Sequence, residues 1–97
     1  MAQKLIHFND AASNADVFSE IKQRGCRPAS FWDLLDFKEH PLCFDPNLPV
    51  VALDTVVEME PGEWFVPGLE FDGSDWQEVW CLYGPGWFPN YQFLAVI

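Results

Sequence analysis

The distribution of charge most constrains how this 97-residue chain can fold. Every Lys and Arg lies within the first 38 residues, whereas residues 39–97 contain ten Asp and Glu and no Lys or Arg. The carboxylates of residues 39–97 therefore have no basic neighbour in their own segment. Packed on a folded surface, they repel one another and attract cations and basic surfaces. A fold for this segment has to bury its apolar residues and keep an anionic exterior.

The composition is typical of a folded single domain. Hydrophobic residues make up 49% of the chain and aromatic residues 16%, whereas disordered chains are poor in aromatics. No apolar run approaches the 18 residues of a membrane span, and the first ten residues lack the long apolar run of a signal peptide. We expect one domain over residues 1–97, a cytoplasmic location and no membrane partner.

Residues that could carry catalysis or bind metal are few and isolated. The chain has three cysteines, without a C-x-x-C motif: Cys26, Cys43 and Cys81. His7 and His40 are isolated from each other, and the thiols are expected to be reduced and inert, although a Cys–His pair could still meet in space. Nucleotide-binding, nucleophile-elbow and zinc-protease motifs are missing, and residues 72–75 fail the calcium-loop pattern. The sequence therefore predicts a non-enzymatic protein with no cofactor and no metal.

The N-terminal half contains helix signals. A short strand is expected from Lys4 to Phe8, followed by a helix that Ser13 or Asn14 caps and Gly25 ends. Acids precede bases along this helix, which is the order that the helix dipole favours.

A second helix is predicted after Pro28. Ser30-x-x-Asp33 resembles a capping box, and His40-Pro41 ends the helix. Its apolar residues are too many for one narrow stripe, so its aromatic side chains are expected in the core.

The pattern changes to short strands at residue 49. Residues 41–49 contain three prolines and are expected to form an ordered connector. Apolar and β-branched runs then alternate with turn residues, and the longest predicted strand runs from Asp75 to Tyr83. The predicted turns are 61–62, 67–68, 72–74 and 84–86. Many short strands with frequent turns are typical of a small barrel or sandwich.

Four motifs in order resemble those of SH3 domains. Ala52-Leu53 matches the start of A-L-Y-D-Y, and residues 63–68 (EWFVPG) resemble E-L-x-F-x-x-G. Trp76 stands where the family has its binding tryptophan, and residues 86–91 (GWFPNY) resemble G-x-F-P-x-N-Y shortened by one residue. Residues 50–97 therefore resemble an SH3 domain, which implies a five-stranded, partly open barrel. The expected fold is α+β, with two N-terminal helices (residues 1–48) packed on a small antiparallel β-barrel (residues 49–97).

The resemblance also implies a peptide groove formed by Trp76, Pro89 and Tyr91. Two aromatic walls of the family's groove are replaced here by Asp54 and Val56. One hypothesis for the function is therefore an SH3-like adaptor that binds a proline-containing or basic peptide.

The acidity favours another function. On one strand face, Glu58 and Glu60 would hold carboxylates about 6.6–6.8 Å apart, which matches every second phosphate of a DNA strand. In size and acidity the chain is similar to phage-encoded DNA mimics, including anti-CRISPR proteins. Direct binding of nucleic acid is disfavoured because phosphates would be repelled. We expect a non-catalytic inhibitor or regulator that docks on a basic surface of a nucleic-acid-handling partner; solubility alone is the plain alternative.

The expected partner-binding residues are the acids of the strand region together with the groove residues. They are Asp54, Glu58, Glu60, Glu63, Glu70, Asp72, Asp75, Trp76, Glu78, Pro89 and Tyr91. Trp87, beside Gly86 at a turn, is the tryptophan expected to be exposed, with burial against the helices as the alternative.

Overall fold

A computed structural model describes residues 2–41, 45–84 and 86–97. Leu42, Cys43, Phe44 and Pro85, on which parts of the predicted connector and of the 84–86 turn fall, lie outside the described residues. The described strands are β1 (Gln3–His7), β2 (Ala12–Ser13), β3 (Arg27–Pro28), β4 (Val50–Val51), β5 (Val57–Glu60), β6 (Glu63–Phe71), β7 (Trp76–Leu82), β8 (Gly86–Trp87) and β9 (Gln92–Val96). The described helices are α1 (Asn14–Gln23) and α2 (Phe31–Glu39).

Both helices begin at the predicted residues. The Ser13 hydroxyl accepts a hydrogen bond from the N–H of Asp16, whose carboxylate accepts one from the N–H of Ser13, both at 3.1 Å. Ser30 and Asp33 form the same reciprocal pair at the start of α2, at 3.3 and 2.9 Å. Each capping box satisfies two N–H groups that would otherwise lack an intrahelical acceptor. Gly25, with a φ of 71°, follows the end of α1 as predicted.

The strands form an open, mixed sheet, so the predicted SH3-like barrel is wrong. The sheet order runs β1-β9-β4-β6, and β6 is bonded to β4 and β5 along one edge and to β7 along the other. β4 is parallel to β9, whereas the expected barrel is antiparallel throughout. Within the described residues β1 and β7 do not pair, and the sheet therefore stays open. β2 and β8 form a separate two-stranded ribbon.

The burial of β9 explains why the barrel does not form. β9 pairs with β1 on one edge and with β3 and β4 on the other, and all five of its residues are buried. Alternate side chains enter two cores, one with Val17 and Ile21 of α1 and the other with Leu34 and Phe37 of α2. The two helices therefore lie on opposite faces of one sheet. The expected layout of a helical half (1–48) packed on a strand half (49–97) is also wrong, because β1 and β3 belong to the same sheet.

The predicted turn at residues 67–68 is wrong, because β6 runs through it. Pro67 has no N–H to donate, and it lies where the neighbour of β6 changes from β5 to β4. Its carbonyl accepts a hydrogen bond from the N–H of Ala52 at 3.1 Å. A Cβ at Gly68 would lie 3.1 Å from the carbonyl oxygen of Val50, so glycine allows the close approach of β4. Both residues therefore serve strand pairing.

Candidate functional site

The three residues of the implied peptide groove do not come together. Trp76 is only 3% exposed and packs edge-on against Phe37 and Phe71 in the core beneath α2. Pro89 is exposed, and its carbonyl oxygen lies 2.7 Å from Nε2 of His7. Trp76 is therefore a core residue, and it has no surface to offer a peptide.

Trp87 and Tyr91 lie on the other side of the sheet from Trp76. Trp87 is 5% exposed, its indole N–H donates to Oδ1 of Asn14 at 2.7 Å, and the ring of Tyr91 packs edge-on against it at 4.9 Å. The expectation that Trp87 is exposed is therefore wrong, and the alternative of burial against the N-terminal helices is what the structure shows. No single groove contains both Trp76 and Tyr91.

The acids of residues 39–97 are all exposed, as their charge requires. Within the described residues only one of them forms an ion pair: Oε2 of Glu78 lies 3.0 Å from Nζ of Lys38. The other two ion pairs in this part of the chain join Arg24 to Glu20 and Arg27 to Asp33. The exterior around the strand region is therefore strongly anionic.

Most of the candidate acids fall into two groups at opposite ends of β6. The β5–β6 acid group consists of Glu58, Glu60 and Glu63. The β6–β7 acid group consists of Glu70, Asp72 and Asp75. Seven residue steps separate Glu63 from Glu70, which is about 23 Å at a rise of roughly 3.3 Å per residue. Asp54 precedes β5, and Glu78 lies on β7 between the two groups.

A β-bulge prevents the expected row of carboxylates on β5. Glu58 pairs with Trp64 and Glu60 with Glu63, so Met59 is an extra residue in the strand. Paired residues share a face, and the consecutive residues Glu63 and Trp64 face opposite sides. Glu58 and Glu60 therefore belong to different faces of the sheet, and they do not reproduce a phosphate spacing.

Some candidate acids stabilise turns. Oδ1 of Asp72 accepts hydrogen bonds from the N–H groups of Asp75 and Ser74, at 2.8 and 2.9 Å, and these bonds lower the pKa of Asp72. Glu58 accepts a hydrogen bond from the N–H of Gly62 at 3.1 Å in the β5–β6 turn. These carboxylates are held in place by the chain, which orients the charge at both ends of β6.

An apolar row crosses the three strands between the acid groups, and it is exposed on β5 and β7 and half-buried on β6. Val57, Phe65 and Leu82 are direct neighbours across β5, β6 and β7 and therefore share a face. Trp80 follows on the same face, two residues before Leu82. Leu82 is 60% exposed and Trp80 is 45% exposed, although leucine and tryptophan side chains are usually mostly buried.

The start of α2 extends this row. The ring of Phe31 lies parallel to that of Trp80 with centroids 6.3 Å apart, and Trp32 lies edge-on to Phe31 at 5.5 Å. The N–H of Phe31 donates to Oγ1 of Thr55 at 2.9 Å, which holds the start of α2 close to β5. Trp32 is 75% exposed, so the expectation that every aromatic of α2 is buried is wrong. We call the whole set the aromatic face: Phe31, Trp32, Val57, Phe65, Trp80 and Leu82.

The thiol of Cys81 is not activated. Burial raises the pKa of Cys81 to about 11, and the charge of Glu70 adds to the effect, so this thiol is protonated at neutral pH. Cys26 is half-buried and free, and Cys43 lies outside the described residues. In residues 2–41, 45–84 and 86–97, no cluster of His, Cys, Asp and Glu is placed to hold a metal ion. The absence of enzymatic activity stays a prediction.

No family model, curated protein or solved structure matches this chain. Neither of the two described helices is long and apolar enough to cross a membrane. The function therefore has to be argued from the aromatic face and the acids around it.

Proposed function

We propose that this protein is a non-catalytic binding protein that docks its aromatic face on a basic surface of a partner protein. The supporting observation is that Trp32, Trp80 and Leu82 are exposed together on one face of the sheet. Contiguous exposed apolar groups of this kind mark interaction sites, and tryptophan is enriched among the residues that dominate binding energy.

The charge determines the kind of partner. The aromatic face lies between the β5–β6 and β6–β7 acid groups, and the chain carries a net charge of −10. A partner surface with Lys and Arg around an apolar centre would complement both features. Preorganised charge of this sign accelerates association with a basic partner and makes the rate sensitive to salt.

In its specific form, the proposal is that the partner handles nucleic acid and that this protein inhibits or regulates it by competing with DNA. Nucleic-acid-binding surfaces carry the Lys and Arg that the acid groups would attract. Because the bulge on β5 breaks the carboxylate row, competition would come from occupation of the basic surface rather than from imitation of each phosphate. The SH3-like adaptor hypothesis is not carried further, since Trp76 and Tyr91 do not share a groove.

The test starts with purification of the tagged protein at low salt and identification of bound proteins by mass spectrometry. Trp80→Ala removes an exposed ring of the aromatic face, and Glu60→Lys reverses one exposed carboxylate of the β5–β6 acid group. Asp10→Lys is the matched control, because it reverses an exposed acid beside α1 on the opposite face. We expect a genuine partner to be lost from both face variants and retained by the control.

The partner found in this way then provides a quantitative test. We expect the affinity of the partner for this protein to fall steeply between low and high salt. We also expect duplex DNA to compete with this protein for the partner. If all three variants retain the same proteins, the aromatic face is not a docking surface and the proposal fails. If the partner binds but DNA does not compete, only the specific form fails.

A further inference from the structure

We infer that the exposed edge of β7 binds an extended segment of the partner by strand addition, and that this segment is apolar in its middle and basic at both ends. The inference rests on the proposed function, because it names how the basic partner is held. Its test below can fail while the proposed function stands.

β7 is an edge strand of seven residues. Within the described part of the chain it pairs with β6 alone, so its other edge is open. Natural edge strands are usually protected by Lys, Pro, a bulge or very short length. The sequence of β7, WQEVWCL, contains neither Lys nor Pro, and its pairing with β6 is regular from end to end.

Two hydrogen bonds establish which main-chain groups point outward. The N–H of Tyr83 donates to the carbonyl of Trp64 at 2.8 Å, and the N–H of Asp72 donates to the carbonyl of Asp75 at 3.0 Å. Bonded and non-bonded residue pairs alternate along an antiparallel ladder. Each of the two bonds joins residues that lie directly opposite each other, so every second pair between these two pairs is also hydrogen-bonded. Val79 and Cys81 belong to such pairs and therefore direct their main-chain groups toward β6.

The residues that alternate with Val79 and Cys81 along β7 direct their main-chain groups to the open edge. These residues are Glu78, Trp80 and Leu82. Among the described residues, none donates to or accepts from the main-chain N–H and C=O groups of these three. They form a row of donors and acceptors that matches the requirement of an added strand.

The same three residues carry side chains on the side of the aromatic face. An added antiparallel strand would pair with Trp80 and Leu82 and place its own side chains directly beside them. One extended segment would therefore satisfy the open edge and cover the exposed aromatic surface together.

Charge complementarity selects the occupant. β7 ends beside the β5–β6 acid group at Leu82 and beside the β6–β7 acid group at Trp76. A segment with Lys or Arg at both ends and apolar residues at alternate central positions complements this edge. A second copy of this chain is disfavoured, because each copy carries a net charge of −10.

The probe is a synthetic peptide, Lys-Lys-Thr-Val-Thr-Val-Thr-Lys-Lys, titrated into the isotope-labelled protein at low salt. With the valines against the aromatic face, an antiparallel peptide directs the valine N–H groups to β7 and the threonine N–H groups to solvent. Two derivatives with the same charge carry N-methyl groups on the valines alone or on the threonines alone.

Strand addition predicts that N-methylated valines weaken binding about tenfold or more, whereas N-methylated threonines do not. It also predicts slower hydrogen exchange at the amides of Glu78, Trp80 and Leu82 in the complex. The reverse preference between the derivatives would indicate addition in the parallel direction and would also support the inference. If both derivatives bind equally well, the strand-addition inference is overturned. If Trp80→Ala then loses this equal binding of the derivatives, the proposed function still stands.

A pair of variants tests the edge from the protein side. Leu82→Ala and Leu82→Pro both remove the side chain, but only proline removes the outward N–H, at a position where edge strands tolerate it. We expect the proline variant to bind the parent peptide about tenfold more weakly than the alanine variant. A dimer in sedimentation that only Leu82→Pro dissolves would assign the edge to a second copy and overturn the inference. Absence of any peptide binding would also overturn it, while the co-purification experiment decides the proposed function separately.

Discussion

The ammonium group of Lys38 lies 3.0 Å from a carboxylate oxygen of Glu78, and this ion pair joins the last turn of α2 to the edge strand β7. Lys38 comes from the part of the chain that contains every Lys and Arg, and Glu78 comes from the part that contains neither. Both side chains are partly exposed, at 31% and 49%. The pair neutralises the middle of the β7 edge and leaves the negative charge at its two ends.

Lys38→Met should strengthen binding of the basic peptide at low salt, because Glu78 then faces the edge without a counter-ion. The free energy of unfolding should change by less than about 1 kcal/mol, since exposed ion pairs contribute little. Fluorescence titration at two salt concentrations and urea unfolding measure the two effects. Weaker binding by the variant would contradict the placement of the peptide beside Glu78.

Trp76→Ala should destabilise the protein by about 3–5 kcal/mol, because it empties a site in the core beneath α2. Trp32→Ala should change stability by no more than about 0.5 kcal/mol, because that ring is 75% exposed. Urea unfolding followed by circular dichroism compares the two. Equal losses of stability would show that Trp32 is covered in the folded protein.

Asp33→Ala should cost about 1 kcal/mol at neutral pH through loss of the α2 capping box. Burial opposes the charge of Asp33, but hydrogen bonds from Ser30 and the guanidinium of Arg27 hold its pKa below the ordinary value of 3.8. The folded pKa is depressed, so the stabilisation is complete above the unfolded pKa of about 4 and is lost as the pH falls through the folded pKa. The difference in stability between the parent and the variant should therefore narrow below about pH 4.

Unfolding midpoints measured between pH 2 and 7 check this dependence. Asp36→Ala is the control, since Asp36 is an exposed acid on the same helix with no capping role. If the difference in stability between the parent and Asp33→Ala stays constant down to the lowest pH, the capping carboxylate of Asp33 keeps its ordinary pKa.

Gln92→Leu should destabilise the protein by about 1–3 kcal/mol. The side-chain amide of Gln92 is buried and donates to the carbonyls of Asp45 and Leu48, both at 3.1 Å, so leucine would leave these acceptors without their donor. Gln77→Leu, at an exposed position of β7 where the side-chain amide donates to the exposed carboxylate of Asp72 at 3.1 Å, should have an effect within about 0.5 kcal/mol. Thermal unfolding of both variants gives the comparison.

Alkylation of Cys81 should be slow at neutral pH and should accelerate up to about pH 11, because only the thiolate reacts. Glu70→Gln removes a negative charge that helps to raise this pKa, so the rate profile should move to lower pH. Peptide mass spectrometry after pulses of iodoacetamide separates Cys81 from the other two cysteines. A fast reaction at pH 7 would show that the thiol is not buried.

Local signals along the chain predicted the local structure. Ser13 and Ser30 stand at the predicted helix starts, and the turn predicted at residues 72–74 lies between β6 and β7. These features depend on interactions between residues within about four positions of one another, so the local sequence is sufficient to predict them. The helical period also places Trp32 away from the buried Leu34 and Phe37, which would have identified it as exposed.

The pairing of distant strands could not be predicted from such signals. One signal in the sequence does indicate the place of β9: residues 93–96, FLAV, are continuously apolar, which is typical of a strand covered on both faces. Such a strand does not suit a small barrel. The bulge at Met59 and the passage of β6 through Pro67 depend on partners far along the chain, and the aromatic face depends on how β5, β6 and β7 align.

The central position of β9 has a consequence for synthesis of the protein. β1 pairs with β9 from Gln3 opposite Val96 to His7 opposite Gln92, so β1 leaves the ribosome before residues 92–96 and waits for them before it acquires this neighbour. β3 and β4 wait for the same strand. Pairings over such distances are slow to form, so the nascent chain exposes the apolar residues of these earlier strands until residues 92–96 emerge. The negative charge of residues 39–97 would then help to keep unfinished chains apart.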